Sequence, residues 1–134
     1  PGLYPCAYKT TWSVRKVNGV MFLDMTLIQR SNDYITAGFI NKIQYVAFLM
    51  MVAGHLNYQV GKFCHLTQNL HIYDRHYDAA NEILGRVNRD VYTQPKQPKI
   101  ELKEVKNFYD YTIDDFIIYD NVGEKINSPL ELAI

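Results

Sequence analysis

Cysteine is scarce in this chain of 134 residues: Cys6 and Cys64 are the only two. A single possible bridge is weak support for a disulfide-built secreted scaffold, and both read as thiols. An excess of charge of either sign is also lacking. Fourteen basic and fourteen acidic side chains cancel, so no overall field draws the chain to nucleic acid or an anionic membrane, and any anion site has to be local. Long hydrophobic runs are missing too. The longest apolar stretch, residues 45–54, falls short of the roughly 20 residues a spanning helix needs. No basic region followed by an apolar core and a cleavage site opens the chain. These absences predict a soluble cytoplasmic protein with no nucleic-acid substrate and no membrane partner. His55, His65 and His76 form no ligand spacing with Cys64, so no metal is expected. The chain opens Pro1-Gly2-Leu3 without an initiator methionine, which predicts a processed or truncated piece of something longer.

What is present suits one domain with a real core: 48% of residues are hydrophobic and 21% charged, which argues against disorder. Residues 8–14 and 20–30 are rich in β-branched and aromatic side chains and flank Asn18-Gly19, a strong hairpin signal. Such a hairpin brings Cys6 and Arg30 to the same end of neighbouring strands. Residues 41–55 read as a helix apolar nearly all round, and therefore buried on most sides. Residues 62–72 alternate as a strand, with Phe63, His65, Thr67, Asn69 and His71 on one face. Helical spacing follows over 73–87, Gln94-Pro95-Lys96-Gln97-Pro98 breaks structure, and 99–103 reads as a short edge strand. Thr112-Ile113-Asp114-Asp115-Phe116 reads as a capped turn and 117–119 as a strand.

The run Gln29-Arg30-Ser31-Asn32-Asp33 ends the second strand with an arginine, a hydroxyl and a carboxylate. Arg30 and Ser31 together can grip an oxyanion, because a guanidinium presents a planar fork of donors and the hydroxyl adds another. Cys6 is either a small buried hydrophobe or a nucleophile, and Arg30 on the adjacent strand is the cation that would stabilise its thiolate. Asn41 at a helix start is by default an N-cap. His71 and Tyr73 are by default half-buried residues with satisfied polar tips, and Asp33 can simply close a turn.

Leu3-Tyr4-Pro5-Cys6, the run 29–33, Asn41, and Asn69-Leu70-His71-Ile72-Tyr73 occur in this order and spacing, followed by Phe108-Tyr109-Asp110-Tyr111, Ile113-Asp114-Asp115-Phe116 and a terminal Leu132-Ala133-Ile134. Together they resemble the carboxy-terminal half of thymidylate synthase. The resemblance implies an α+β fold: a twisted mixed β-sheet with a buried central helix, one sheet face forming a dimer interface. It implies reductive methylation of dUMP to dTMP with 5,10-methylenetetrahydrofolate as co-substrate. Cys6 thiolate would add to uracil C6, and C5 would attack the folate methylene carbon. The folate would leave and return as hydride donor, and loss of Cys6 would release dTMP and dihydrofolate. Arg30 and Ser31 would bind the 5′-phosphate, and Asn32 and Asp33 would offer backbone groups to the pyrimidine. Asn41 would pair with uracil N3–H and O4, while His71, Ile72 and Tyr73 would line the deoxyribose, with His71 and Tyr73 on its 3′-hydroxyl. Asp33 and Ala133 would meet the folate.

The resemblance also marks departures: Ala7 where histidine is usual, Thr11 for glutamine, Thr36-Ala37-Gly38-Phe39-Ile40 for a Leu-Gly-x-Pro-Phe run, and Asn69 for aspartate. They point to a divergent branch. Family members are about twice this length, and the upstream half would supply partner arginines and a catalytic glutamate. The 134-residue chain is therefore expected to have little activity alone. Two alternatives stand beside this reading: a pyrimidine nucleotide hydroxymethylase, with Asn41 arguing against a cytosine substrate, and a catalytically silent nucleotide-binding homologue.

Overall fold

The computed structural model describes residues 4–87, 98–120 and 125–131. Strands β1 (Ala7–Val17) and β2 (Val20–Asp33) form an antiparallel hairpin, paired from Val17↔Val20 out to Ala7↔Gln29. Its turn is Asn18-Gly19, with φ of 49° and 85°. Both central residues thus occupy the left-handed region that a hairpin turn matched to strand twist requires, and Asn and Gly enter it at least cost. Strand β3 (Gln59–His71) flanks β2 on the other side and runs parallel to it, giving a mixed sheet of order β1-β2-β3. Parallel neighbours need a crossover, which helix α1 (Phe39–His55) provides.

Alternation along β2 decides which face the helix covers. Leu23, Met25, Leu27 and Gln29 are buried and the residues between them are not. Leu49 and Ala53 of α1 close on Leu23 and Met25, with Tyr45, Phe48, Val52, Tyr58 and Phe63 packed around them. Each fully buried Leu or Met contributes roughly 1.5–3 kcal/mol, which pins the helix to the sheet. On β3 the expected alternation holds: Phe63, His65 and Thr67 are half-buried against α1, while Cys64, Leu66 and Gln68 are exposed on the opposite face. At the β3 bulge, where Gly61 and Lys62 stand opposite Asp24, Asp24 accepts from the Lys62 N–H at 2.6 Å and from Arg15 Nε at 2.8 Å. Those bonds hold its carboxyl below the usual aspartate value, the Lys62 N–H foremost. Gly61 fits there because a Cβ would stand 2.6 Å from the Leu23 carbonyl oxygen.

The helix differs from the sequence expectation in three ways. It begins at Phe39 rather than residue 41, continuing a wide turn, Tyr34–Gly38. Its cap position is Gly38, with no side-chain bond, so Asn41 sits inside the first turn and is not the N-cap. It is also not buried on most sides: Phe39, Ile40 and Ile43 are more than half exposed, and full burial is confined to Leu49, Met50 and Ala53. The joined segment Tyr34–His55 has 22 residues and a mean hydropathy of 1.4, so by length and composition it is long and apolar enough to cross a membrane. This corrects the reading of 45–54 as the limit of the apolar run.

Beyond β3, a tight turn (Asp74–His76) leads into α2 (Tyr77–Val87), where one helix over 73–87 was expected. Strand β4 (Lys99–Leu102) pairs antiparallel with β5 (Phe116–Tyr119). Ahead of β5, Thr112 and Asp115 form a capping box, as the sequence predicts. The Asp115 carboxylate accepts from Lys106 Nζ at 2.6 Å and from the Thr112 N–H at 2.7 Å. These donors, Lys106 first, hold its pKa down to about 2. The break at 94–98 lies outside the described residues except for Pro98.

Candidate active site

All three strands of the larger sheet contribute to one of its ends. The β1–β2 hairpin returns the start of β1 to the end of β2, where the Arg30 N–H donates to the Cys6 carbonyl at 2.9 Å. Parallel pairing sets Ser31 beside Asn69 and Asp33 beside His71. The first turn of α1 leans over this end, and between them opens a cavity of about 450 Å³. That volume lies within the range of small-molecule sites. Cys6, Ser31, Asn32, Asp33, Asn41, His71 and Tyr73 all line it.

Two residues of the expected set do not line it. Arg30 is exposed beside it, and its Nη2 donates to the Tyr4 carbonyl at 3.0 Å. Ile72 lies outside the cavity, 37% exposed. Ala133 falls outside the described residues, as do Leu3 and the terminal 132–134. Cys6 and Cys64 are both free thiols, Cys6 half-buried at the cavity wall and Cys64 exposed.

Two side chains approach the same oxygen of Asp33, and only one of them hydrogen-bonds to it. Thr36 Oγ1 donates to its Oδ2, and His76 Nδ1 stands 3.5 Å from the same oxygen. His76 is fully buried, and its Nε2 donates to the Glu131 carbonyl at 2.8 Å. The segment 125–131 is itself clasped by Glu82 of α2. That carboxylate accepts from the N–H groups of Asn127 and Ser128 at 3.0 Å and from the Ser128 hydroxyl at 3.0 Å. These bonds, the Asn127 N–H first, bring the Glu82 pKa down to about 2. His71 and Tyr73 rings meet edge to face, centroids 4.9 Å apart.

The cavity floor is an amide network that no motif announces. Gln29 Nε2 donates to Asn41 Oδ1 at 3.1 Å, and Asn32 Nδ2 donates to both Gln29 Oε1 and Asn41 Oδ1 at 3.1 Å. His65 Nε2 lies 2.7 Å from Gln29 Oε1. Burial and the nearby Lys42 charge push the His65 pKa below its ordinary value, burial being the larger cause. Pro5, Ala7, Ala37, Gln44 and Tyr45 complete the lining. The sequence signal for Gln29 is a polar residue where the inward alternation of β2 calls for an apolar one. Among the described residues, no group of three or more His, Cys, Asp or Glu side chains gathers as a metal site would require.

The thymidylate synthase family profile matches residues 2–130. A thymidylate synthase of Streptococcus agalactiae serotype III is 44% identical over 137 residues, covering 99% of this chain and 47% of the relative. Those of Streptococcus suis and Lactococcus lactis are 42% and 43% identical, with the same coverage. The solved structure of a thermostable thymidylate synthase A from Bacillus subtilis superposes with a TM-score of 0.77 at 32% identity, covering 98% of this chain and 44% of that one. The chain spans about half the length of the curated relatives it matches, 47% in these cases. Matched along nearly its whole length in both sequence and fold, the chain belongs to the thymidylate synthase family.

Proposed function

We propose that the cavity binds dUMP and that Cys6 is the nucleophile for its reductive methylation to dTMP with 5,10-methylenetetrahydrofolate. The observation that carries this reading is convergence: Cys6, Ser31, Asn32, Asp33, Asn41, His71 and Tyr73, spread along the sequence from position 6 to position 73, line one cavity. A thiolate adding to C6 makes C5 a carbon nucleophile, and C5 then displaces the folate amine at the methylene carbon. Loss of the C5 proton and cleavage of the remaining folate–methylene bond leave an exocyclic methylene at C5, hydride from the folate reduces it to the methyl group, and the Cys6 thiolate departs from C6 to give dTMP and dihydrofolate. Ser31 would meet the 5′-phosphate, Asn32 and Asp33 the pyrimidine edge, and His71 and Tyr73 the 3′-hydroxyl. Asp33 would also accept from the folate ring, and Ala133 would contact the folate.

Arg30 has a separate place in this reading. Its guanidinium, now on the Tyr4 carbonyl, would turn to the 5′-phosphate, exchanging a neutral acceptor for a dianion. Ile72 would contribute its backbone at the deoxyribose. The chain would act as the carboxy-terminal portion of a cytoplasmic homodimer. In support, Leu66, on the sheet face opposite α1, is more than half exposed, an apolar side chain that a second subunit would cover.

Incubating the chain with dUMP and 5,10-methylenetetrahydrofolate, alone and then within a protein of full family length, tests the reading. The isolated chain should form little or no dTMP and the long form should form it readily. Robust dTMP formation by the isolated chain would contradict the need for an upstream half. A product carrying 5-hydroxymethyl instead of 5-methyl would favour the hydroxymethylase alternative, and nucleotide binding without product would favour the silent homologue.

A further inference from the structure

We propose that His65, outside the cavity wall, sets which pyrimidine the site accepts by fixing the polarity of the amide network beneath Asn41. The inference rests on the dUMP reading of the cavity.

An amide oxygen only accepts and an amide nitrogen only donates. Gln29 Oε1 accepts from Asn32 Nδ2, so the His65 Nε2 that stands 2.7 Å from the same oxygen must carry a proton. Gln29 consequently turns its Nε2 to Asn41, and Asn32 gives its second N–H to the same residue. Asn41 Oδ1 thereby receives two donors and is spent, so the pairing with uracil N3–H that the family resemblance implies is closed to it and only the O4 contact is left. What Asn41 has left is its NH₂, engaged only by a long 3.4 Å contact to Gln44 Oε1. A free NH₂ at a cavity wall reads a carbonyl such as uracil O4 and opposes the 4-amino group of cytosine.

The opposite polarity is a complete alternative, because turning Gln29, Asn32 and Asn41 together keeps every bond among them. Two features oppose it. His65 would have to move its proton to Nδ1 and accept at Nε2. Asn32 would also carry two N–H donors where its Oδ1 now lies, buried, unpartnered and packed towards Gly38. One orphan acceptor is thus exchanged for an orphan NH₂, the costlier arrangement. Thr67 Oγ1, 3.2 Å from His65 Nε2, takes a share of the same donor and holds the ring on the Gln29 side. His65 is therefore a positioning residue: it touches no substrate and acts through Gln29 on Asn41.

Two measurements on a protein of full family length carrying this chain test this. In a ¹⁵N-histidine-labelled sample at neutral pH, His65 should be the Nε2–H tautomer, and the Nδ1–H tautomer would overturn the assigned polarity. Binding of dUMP and dCMP should then be compared in the wild type, His65→Phe and His65→Glu. The wild type should prefer dUMP. Losing the donor in His65→Phe should cut the preference by about tenfold, the scale of one unpaired buried polar group. An ionised glutamate can only accept, so His65→Glu should move the ratio further towards dCMP, whereas a simple packing defect would weaken both ligands alike. An unchanged dUMP-to-dCMP ratio in both folded variants would overturn the inference while leaving the dUMP reading intact. If the wild-type chain bound neither nucleotide, the dUMP reading would fail and take the selectivity role with it, the tautomer still reporting the polarity of the network.

Discussion

The sheet end that bears the cavity and the carboxy-terminal segment that braces it are held by different forces. Helix α1 is fixed to the sheet by buried apolar side chains, Leu23, Met25, Leu49 and Ala53. Residues 125–131 are tied instead by polar contacts: Glu82 on Asn127 and Ser128, and His76 on the Glu131 carbonyl. An apolar interface is cooperative and indifferent to pH, whereas a carboxylate clasp can be released without melting the rest. The two regions still meet at one residue. Asp33, at the cavity, faces His76, which holds the segment.

The largest expected effect breaks the apolar side. Leu49→Ala, at a position fully removed from solvent, should cost about 2–5 kcal/mol, the usual range for a buried Leu-to-Ala change. Urea unfolding of the whole chain would show it as a lower midpoint, and a change within error would mean that α1 is not held by this core. Next comes the polar side. Glu82→Gln should leave the sheet folded but speed hydrogen exchange at Asn127 and Ser128, whose N–H groups lose their charged acceptor.

Acid should do the same without mutation. The Glu82 carboxyl is held at about 2, below its ordinary 4.5. Folding therefore favours the ionised form, and the contribution of Glu82 is complete above pH 4.5 and lost as the pH falls from there towards 2. Asp115, likewise lowered to about 2 from 3.8, loses its contribution below pH 3.8. Exchange at 127–128 that stays constant from pH 5 to pH 3, once the intrinsic pH dependence is removed, would contradict the clasp. The smallest effect belongs to the capping box: Thr112→Ala should cost about 0.5–2 kcal/mol, a typical cap loss, read as a small drop in melting temperature.

The same contrast explains what the sequence revealed. The hairpin was legible because Asn18-Gly19 states its own turn type, and the faces of β3 because strict alternation does. Cys6, Asp33, Asn41, His71 and Tyr73 were legible as a set through the family resemblance, and they share one cavity. Periodicity placed the start of α1 two residues late, because Tyr34–Gly38 forms a wide turn continuous with the helix and leaves no cap signal. The Glu82 clasp joins residues 45 and 46 positions apart through backbone N–H groups, which have no sequence signature. His65 was visible only as an inward strand position, since its role depends on the polarity of amides on two other elements.

The most direct test of the account is covalent. A protein of full family length carrying this chain should be incubated with 5-fluoro-dUMP and 5,10-methylenetetrahydrofolate, and its intact mass measured. The account predicts an added mass equal to nucleotide plus folate, mapped by peptide analysis to Cys6 and abolished by Cys6→Ser. No adduct on a well-folded protein, or an adduct that survives Cys6→Ser, would contradict the assignment of Cys6 as the nucleophile of this cavity.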